Sequence, residues 1–175
     1  MSGAASSSAA LPIAYLLLRT LVVINWVLGA AIFTLLVVAP NRQWIMSSLE
    51  LSPSAEADRV VMGLRTIAVL GLVAILMNYA IFKRLLAIVA TVRAGDPFVP
   101  VNALHLQETA WALLALQLIA LVIGAIVKHI STPEHPININ VGFSVNGWLA
   151  VLLTFVLARV FAEGAFMRED LQGTV

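Results

Sequence analysis

The sequence predicts an all-α integral membrane protein with four transmembrane helices and a short cytoplasmic amphipathic segment between helices two and three. The 175 residues are 61% hydrophobic and only 11% charged, whereas a soluble domain carries about 25% charged residues. Four apolar stretches reach or approach the roughly 20 residues that a spanning helix needs. Most of the charged residues lie between these stretches or at their ends, as expected of a chain that crosses a bilayer several times.

The charge and the cysteine content exclude several classes of protein. The net charge is +1, so the chain lacks the basic surplus of proteins that bind nucleic acid directly. No cysteine is present, which excludes disulfides, thiolate metal sites and cysteine nucleophiles.

The first span is predicted over about residues 15–39, which are uncharged from Thr20 onward. Residues 1–12 carry no lysine or arginine, and the apolar run behind them is longer than the core of a signal peptide. We therefore expect an uncleaved first helix behind a flexible tail formed by residues 1–12. The second span is predicted over about residues 60–82, with Arg65 as its charged residue.

The third span is predicted over about residues 104–127 and the fourth over about residues 143–161, which makes the whole chain one transmembrane domain. Residues 162–175 are predicted to form a cytoplasmic extension. Within residues 131–146, an alternating pattern of apolar with polar or small residues predicts a short strand or hairpin on the outer side, overlapping the start of the fourth span; its apolar members are Ile137, Ile139, Val141 and Phe143.

The distribution of lysine and arginine predicts the orientation, since these residues are enriched in cytoplasmic loops. With the N-terminus inside, six such residues lie on the cytoplasmic side and four on the outer side. The inner ones are Arg19, Lys83, Arg84, Arg93, Arg159 and Arg168, and the outer ones are Arg42, Arg59, Arg65 and Lys128. Both termini are therefore predicted to be cytoplasmic.

The cytoplasmic loop between helices two and three begins with an amphipathic pattern. Leu85, Ile88, Val89 and Val92 share one helical face. Such a segment either lies along the inner headgroup layer as a separate short helix, or is the end of helix two running beyond the membrane.

The stretch RAGDPFVPVN, from Arg93 to Asn102, then ends one helix and starts another. Gly95 can form a left-handed cap, and Pro97 cannot continue a helix. Asn102 is predicted to be the N-cap of helix three, accepting hydrogen bonds from the backbone amides of Leu104 or His105. Phe98 is not needed for this stop and restart, and its ring could anchor the turn in lipid, pack against a neighbouring helix or bind a partner.

The histidines and carboxylates predict no cofactor and no metal site. His105 lies at the inner rim of helix three, and no histidine lies mid-membrane, which excludes axial ligation of a b-type haem. His129, Glu134 and His135 are too few to complete a metal site and are expected to be solvated. His105 and Glu108 form one pair on one helix, which is insufficient for a di-metal centre.

Four polar side chains lie within the spans: Asn25, Arg65, Asn78 and Gln117. Interhelical hydrogen bonds are the expected role of the three amides. Arg65 either extends to the outer headgroups or has a buried partner. The same four residues could instead line a transport pathway, although no acidic residue lies in a span to couple transport to protons.

The C-terminal stretch carries a second amphipathic pattern. Val160, Gly164, Met167 and Leu171 form one stripe, while Arg159 can pair with Glu163 at i,i+4. The pattern indicates either an amphipathic cytoplasmic helix ending near Gly173 or a solvated terminus.

These two cytoplasmic stretches resemble a family of small bacterial membrane proteins known as domain of unknown function 2975. The matching marks are Gly95-Asp96-Pro97-Phe98, Asn102, Val160-Phe161, Gly164, Arg168, Asp170 and the final Gly173-Thr174-Val175. The resemblance implies four spans in the bacterial cytoplasmic (inner) membrane and a small helix-turn-helix regulator of the Xre type as a partner. It implies no reaction and no ligand.

The functional hypothesis is a non-enzymatic membrane protein that binds or regulates a small cytosolic partner. The candidate partner-binding residues are Asp96, Phe98, Asn102, Phe161, Phe166 and Asp170, because both stretches offer apolar side chains on one face of the membrane. The alternatives are a small transporter or channel and an enzyme acting on a lipid. Homo-oligomer formation is left open by the sequence.

Overall fold

The computed structural model describes residues 4–38, 55–131 and 142–173. Within these ranges it contains four α-helices and no strand. We number them α1 (Ala4–Val38), α2 (Ala55–Arg93), α3 (Pro100–Ile130) and α4 (Val145–Gly173). Each contains a stretch that is long and apolar enough to cross a membrane. The predicted all-α fold with four membrane-spanning helices is therefore confirmed.

All four helices are longer than the spans predicted from hydropathy. A helix satisfies its backbone hydrogen bonds internally, so it can continue through a bilayer and beyond it without a break. α2 is the longest at 39 residues, and a helix rises about 1.5 Å per residue. The apolar stretches therefore define only the central parts of α2 and α3 and the N-terminal part of α4.

The flexible tail predicted for residues 1–12 is replaced by helix from Ala4 onward. The sequence AASSSAAL is rich in alanine, which has the highest helix propensity of all residues. Pro12 lies inside α1 and removes one backbone hydrogen bond without ending the helix.

The predicted amphipathic segment between helices two and three is the C-terminal part of α2, which runs unbroken to Arg93. Of the two alternatives, the structure therefore shows the continuous helix, because no glycine or proline interrupts residues 83–93. The strand or hairpin predicted for residues 131–146 falls mostly on residues 132–141, which lie outside the described residues. Its last two residues, Val145 and Asn146, belong to α4.

The helices divide into two compact units. The first comprises Met1–Asn25, Met77–Ala115 and Val145–Val175, and the second comprises Trp26–Leu76 and Leu116–Ser144. Glycines permit close helix packing in the second unit. A Cβ at Gly29 would lie 2.8 Å from Ile75 Cγ2, and a Cβ at Gly63 would lie 2.6 Å from Ile130 Cγ2. Small residues at helix interfaces of membrane proteins have this role in general.

The first unit has a core of small and aliphatic side chains from α2, α3 and α4. Its buried apolar residues include Ile81, Leu106, Ala110, Val151, Ala158 and Ala165. Trp111 of α3 meets Phe155 of α4 edge to face, with ring centroids 5.2 Å apart, a favoured aromatic geometry. The loop of residues 94–99 joins α2 to α3 in this unit, and the candidate site is built around it.

Candidate functional site

α2 ends in a Schellman motif centred on Gly95. The amide of Gly95 donates to the carbonyl of Val92 at 3.1 Å, and the amide of Asp96 donates to that of Thr91 at 3.1 Å. Gly95 has a φ of +85°, in the left-handed region that glycine adopts without cost. A Cβ at this position would meet no atom within 4 Å, so the backbone conformation, and not space, requires glycine. The predicted left-handed cap is confirmed.

The predicted N-cap role of Asn102 is wrong. α3 begins at Pro100, so Asn102 is its third residue, and the amide of Asn102 donates to the carbonyl of Val99 at 2.9 Å. Proline favours the first helical position because its φ is already helical and the missing N–H would have no intrahelical partner. Pro100 therefore starts the helix before Asn102 can cap it.

Asn102 instead ties together the end of α2, the loop and the start of α3. Its side chain is fully buried, and Nδ2 donates to Thr91 Oγ1 at 2.6 Å and to the carbonyl oxygen of Pro97 at 2.9 Å. The Thr91 hydroxyl itself donates to the carbonyl of Ile88 at 2.8 Å. Since the Pro97 carbonyl can only accept, this network fixes the orientation of the Asn102 amide.

The loop is also attached to α4 through an ion pair and an aromatic contact. Arg168 Nη1 donates to Asp96 Oδ1. The rings of Phe98 and Phe161 lie with their centroids 5.3 Å apart. Phe98 also covers Gly164, where a Cβ would come within 2.7 Å of Phe98 Cδ1. We refer to Asp96, Phe98, Phe161, Gly164 and Arg168 as the loop–α4 contact.

The six predicted partner-binding residues are therefore not one surface. Asp96, Phe98 and Phe161 face one another in the loop–α4 contact, and Asn102 is buried beneath the loop. Phe166 lies on another side of α4, where its side chain is exposed, and Asp170 is exposed near the end of that helix. Sequence reasoning missed Thr91 as a partner of Asn102, since a threonine inside a helix gives no signal of its own.

An apolar groove of about 530 Å³ separates the start of α3 from the second half of α4. Alanines form its floor, and exposed Leu104 and Phe166 lie along it. Arg159 and Glu169 also line it, so both signs of charge are present. Arg159 forms the predicted i,i+4 pair with Glu163, with Nη2 and Oε1 2.6 Å apart.

Charged side chains of α2, α3 and α4 lie at one height along the helices of the first unit, near one end of this groove. We call this height the charged level. Arg84 of α2 and Glu108 of α3 form an ion pair with Nε and Oε2 2.6 Å apart. Trp111, one turn further along α3, contacts Phe155, and Arg159 lies one turn beyond Phe155 on antiparallel α4. Arg84, Glu108 and Arg159 therefore lie at one height. The uncharged stretches of α3 and α4 end at this height.

The four intramembrane polar residues are divided between the two units. In the first unit, Asn25 is buried and Asn78 is half-buried. In the second unit, Gln117 is half-buried and Arg65 is exposed on α2. An exposed position agrees with extension to the headgroups, and Arg65 and Asn25 each have an interaction partner.

Within the ranges that the structure describes, no group of three histidine or acidic side chains is placed to hold a metal ion. The sequence-based expectation that His129, Glu134 and His135 are solvated falls partly outside these ranges, because the structure does not describe Glu134 and His135.

A model of the family described as "Protein of unknown function (DUF2975)" matches residues 41–175. The chain belongs to the DUF2975 family. No curated protein and no solved structure matches it. The matched range includes α2, α3 and α4 together with the loop.

In this DUF2975 protein, five of the residues that carried the resemblance in the sequence contact one another. Asp96 pairs with Arg168, and Phe98 packs on Phe161 and Gly164. Gly95 shapes the turn that presents the loop. These five residues therefore attach the loop of residues 94–99 to α4.

Proposed function

We propose that this DUF2975 protein is a non-enzymatic integral membrane protein that binds or regulates a small cytosolic protein through the groove between α3 and α4. The observation that carries the proposal is the exposure of large apolar side chains beyond the charged level. Leu104 is 56% exposed, Phe166 64% and Met167 61%. Contiguous exposed apolar side chains outside a bilayer are characteristic of binding sites.

The charge on α4 supports placing this part of the groove in water. Residues 159–170 contain five charged side chains, and each costs about 2.5–3.5 kcal/mol at the centre of a membrane helix on insertion scales. The lining residues Leu104 and Phe166 lie beyond Arg159 and Glu108. This charge distribution supports placing the two side chains outside the lipid chains, where another apolar surface would cover them.

The shape of the groove favours an amphipathic helix as the occupant. Two antiparallel helices present an elongated apolar channel, a recognition mode in which a helix inserts anchors at i, i+3, i+4 and i+7. Phe166 is the aromatic side chain suited to anchor such a helix, since buried aromatics often contribute about 2 kcal/mol or more at interfaces. Arg159 and Glu169 along the groove suit a helix that carries both signs of charge.

The resemblance noted in the sequence supports a helix-turn-helix regulator of the Xre type as this partner. Such a regulator is cytosolic, so the groove must face the cytosol. The excess of lysine and arginine at this end of the helices supports that orientation. The proposal therefore places the protein in the bacterial cytoplasmic membrane with both termini inside.

The proposal is tested by co-expressing the full chain with the helix-turn-helix protein encoded nearest to it and purifying the membrane protein. Leu104→Ala and Phe166→Ala should each lower the amount of co-purified regulator several-fold. Leu153→Ala is the matched control for Leu104→Ala, since Leu153 is 52% exposed on the uncharged part of α4. Equal recovery of the regulator with all three variants would refute binding in the groove.

A further inference from the structure

We propose that Tyr15, Arg19 and Arg93 bind the phosphate group of an anionic phospholipid at the edge of the bilayer. The starting observation is an uneven distribution of charge within the first unit. Its described carboxylates all lie on the loop, α3 and α4. The parts of α1 and α2 in this unit carry four cations, Arg19, Lys83, Arg84 and Arg93, and no carboxylate.

The carboxylates of the unit are largely engaged elsewhere. Glu108 pairs with Arg84, Glu163 with Arg159, and Asp96 with Arg168. Among the residues that the structure describes, the guanidinium groups of Arg19 and Arg93 make no ion pair and no hydrogen bond. Among the described residues, the part of the unit formed by α1 and α2 therefore carries more positive charge than the carboxylates paired with it neutralise.

One of these cations, Arg93, contacts the ring of Tyr15, and a second, Arg19, lies on the same helical face as Tyr15. The guanidinium carbon of Arg93 lies 5.6 Å from the centroid of the Tyr15 ring, within the range of a cation–π contact. Arg19 follows Tyr15 by four residues on α1, so it lies on the same helical face about 6 Å further along the axis. The ring contact thus holds the guanidinium of Arg93 on the face of α1 that carries Arg19, and the Tyr15 hydroxyl is a further donor.

Phosphate is the anion that matches these donors. A guanidinium group donates two parallel N–H bonds to phosphate oxygens, and two such groups can hold one phosphodiester from two sides. A net negative headgroup suits the site, since a choline or ethanolamine ammonium would be brought close to the two arginines.

The surroundings favour a lipid source for the phosphate. Arg19 is the last charged residue before the uncharged stretch that begins at Thr20. Val23, one turn beyond Arg19 within this stretch, is exposed and can contact acyl chains along α1. A phosphate at Arg19 therefore has its acyl chains directed along the apolar surface of the helix, as in a bilayer leaflet.

The test is native mass spectrometry of the full chain released from nanodiscs that contain phosphatidylglycerol and phosphatidylcholine in equal amounts. We expect retained phosphatidylglycerol with the wild type, and about tenfold weaker retention with Arg19→Gln or Arg93→Gln, the size expected for losing a charge-assisted hydrogen bond. Arg159→Gln is the control, because Arg159 is an exposed arginine at the charged level whose own helix supplies Glu163. It should leave retention unchanged.

The outcomes separate the site from its alternatives. Equal retention by the wild type, Arg19→Gln and Arg93→Gln overturns the proposal, as does equal retention of phosphatidylcholine by the wild type. Displacement of phosphatidylglycerol by millimolar inorganic phosphate would show a site for free phosphate and would overturn the lipid assignment. Arg93→Lys keeps the positive charge but loses the planar guanidinium that donates two parallel N–H bonds. We therefore expect it to retain phosphatidylglycerol less strongly than the wild type and more strongly than Arg93→Gln. If Arg19→Gln does not accumulate, Arg93→Gln and Arg93→Lys still decide the question.

Discussion

The ring of Phe98 lies on Gly164, so close that a Cβ on that glycine would come within 2.7 Å of Phe98 Cδ1. A helical glycine is usually less stable than alanine by about 1 kcal/mol, so this glycine has a packing role. It provides the space through which the loop of residues 94–99 reaches α4.

Gly164→Ala should therefore destabilise the protein, because the added methyl group must displace the Phe98 ring. Overpacking of this kind typically costs about 1–3 kcal/mol, which would lower the midpoint of thermal unfolding in detergent. Gly71→Ala is the matched control, since a Cβ there meets its nearest atom at an ordinary 3.6 Å. That variant should be neutral or more stable, and a Gly164→Ala protein of unchanged or higher midpoint would contradict the packing argument.

Asn102→Ala should be strongly destabilising, because Asn102 is fully buried and donates two hydrogen bonds that join α2, the loop and α3. Leaving the Pro97 carbonyl and the Thr91 hydroxyl without this donor should cost roughly 2–4 kcal/mol in total. Asn102→Asp should be no better, since an ionised carboxylate cannot donate to the Pro97 carbonyl. Denaturant unfolding measures both, with exposed Asn146→Ala as a control that should have little effect.

The ion pair between Asp96 and Arg168 should contribute modestly to stability. Their side chains are 37% and 43% exposed, and pairs of this kind usually contribute about 0.2–1 kcal/mol. A double-mutant cycle with Asp96→Asn and Arg168→Gln should give a coupling energy in that range that falls as salt is added. The more exposed pair of Arg159 and Glu163 should show a smaller coupling, and the reverse order would refute the role given to Asp96.

Phe98→Ala and Phe166→Ala should have different effects, because the two rings lie in different environments. Phe98 contacts Phe161 and Gly164, so its truncation should lower stability. Phe166 is exposed along the groove, so its truncation should leave stability unchanged while weakening binding of the proposed regulator. If both variants lose the regulator while keeping full stability, the two phenylalanines form one docking surface after all.

The orientation can be tested with single cysteines, since the chain has none of its own. Ala94→Cys should be protected from an impermeant thiol reagent in intact cells, and Asn146→Cys should be labelled. Both positions are exposed on the protein surface, so a difference in labelling reports the side of the membrane. Labelling of position 94 alone would invert the proposed topology.

Local signals in the sequence predicted the features that depend on neighbours along the chain. The four spans follow from runs of apolar residues, the cap at Gly95 from glycine followed by Asp96-Pro97, and the pair of Arg159 and Glu163 from its i,i+4 spacing. Each depends on a few consecutive residues, so one sequence suffices to predict it.

The predictions that were wrong and the contacts that were missed involve either two competing local signals or residues that are far apart in the sequence. Pro100 and Asn102 are both typical of the start of a helix, and the sequence does not indicate which of the two marks the start of α3. Asp96 and Arg168 are 72 residues apart, and nothing in either stretch indicates that their charges meet. In the sequence, each of three phenylalanines could be an exposed side chain that binds a partner: Phe98, Phe161 and Phe166. The structure shows that the rings of Phe98 and Phe161 contact each other.

The length of α2 has a geometric consequence for the loop that it carries. Its 39 residues extend about 58 Å, whereas the hydrocarbon of a bilayer is about 30 Å thick. Membrane helices tilt by at most about 40°, and at that angle about 26 residues would suffice to cross. About 13 residues of α2 must therefore stand outside the hydrocarbon at any tilt. Because α2 is one continuous helix up to Arg93, inserting or deleting a full turn before Gly95 would move the loop about 5 Å along the helix axis while preserving the direction it faces.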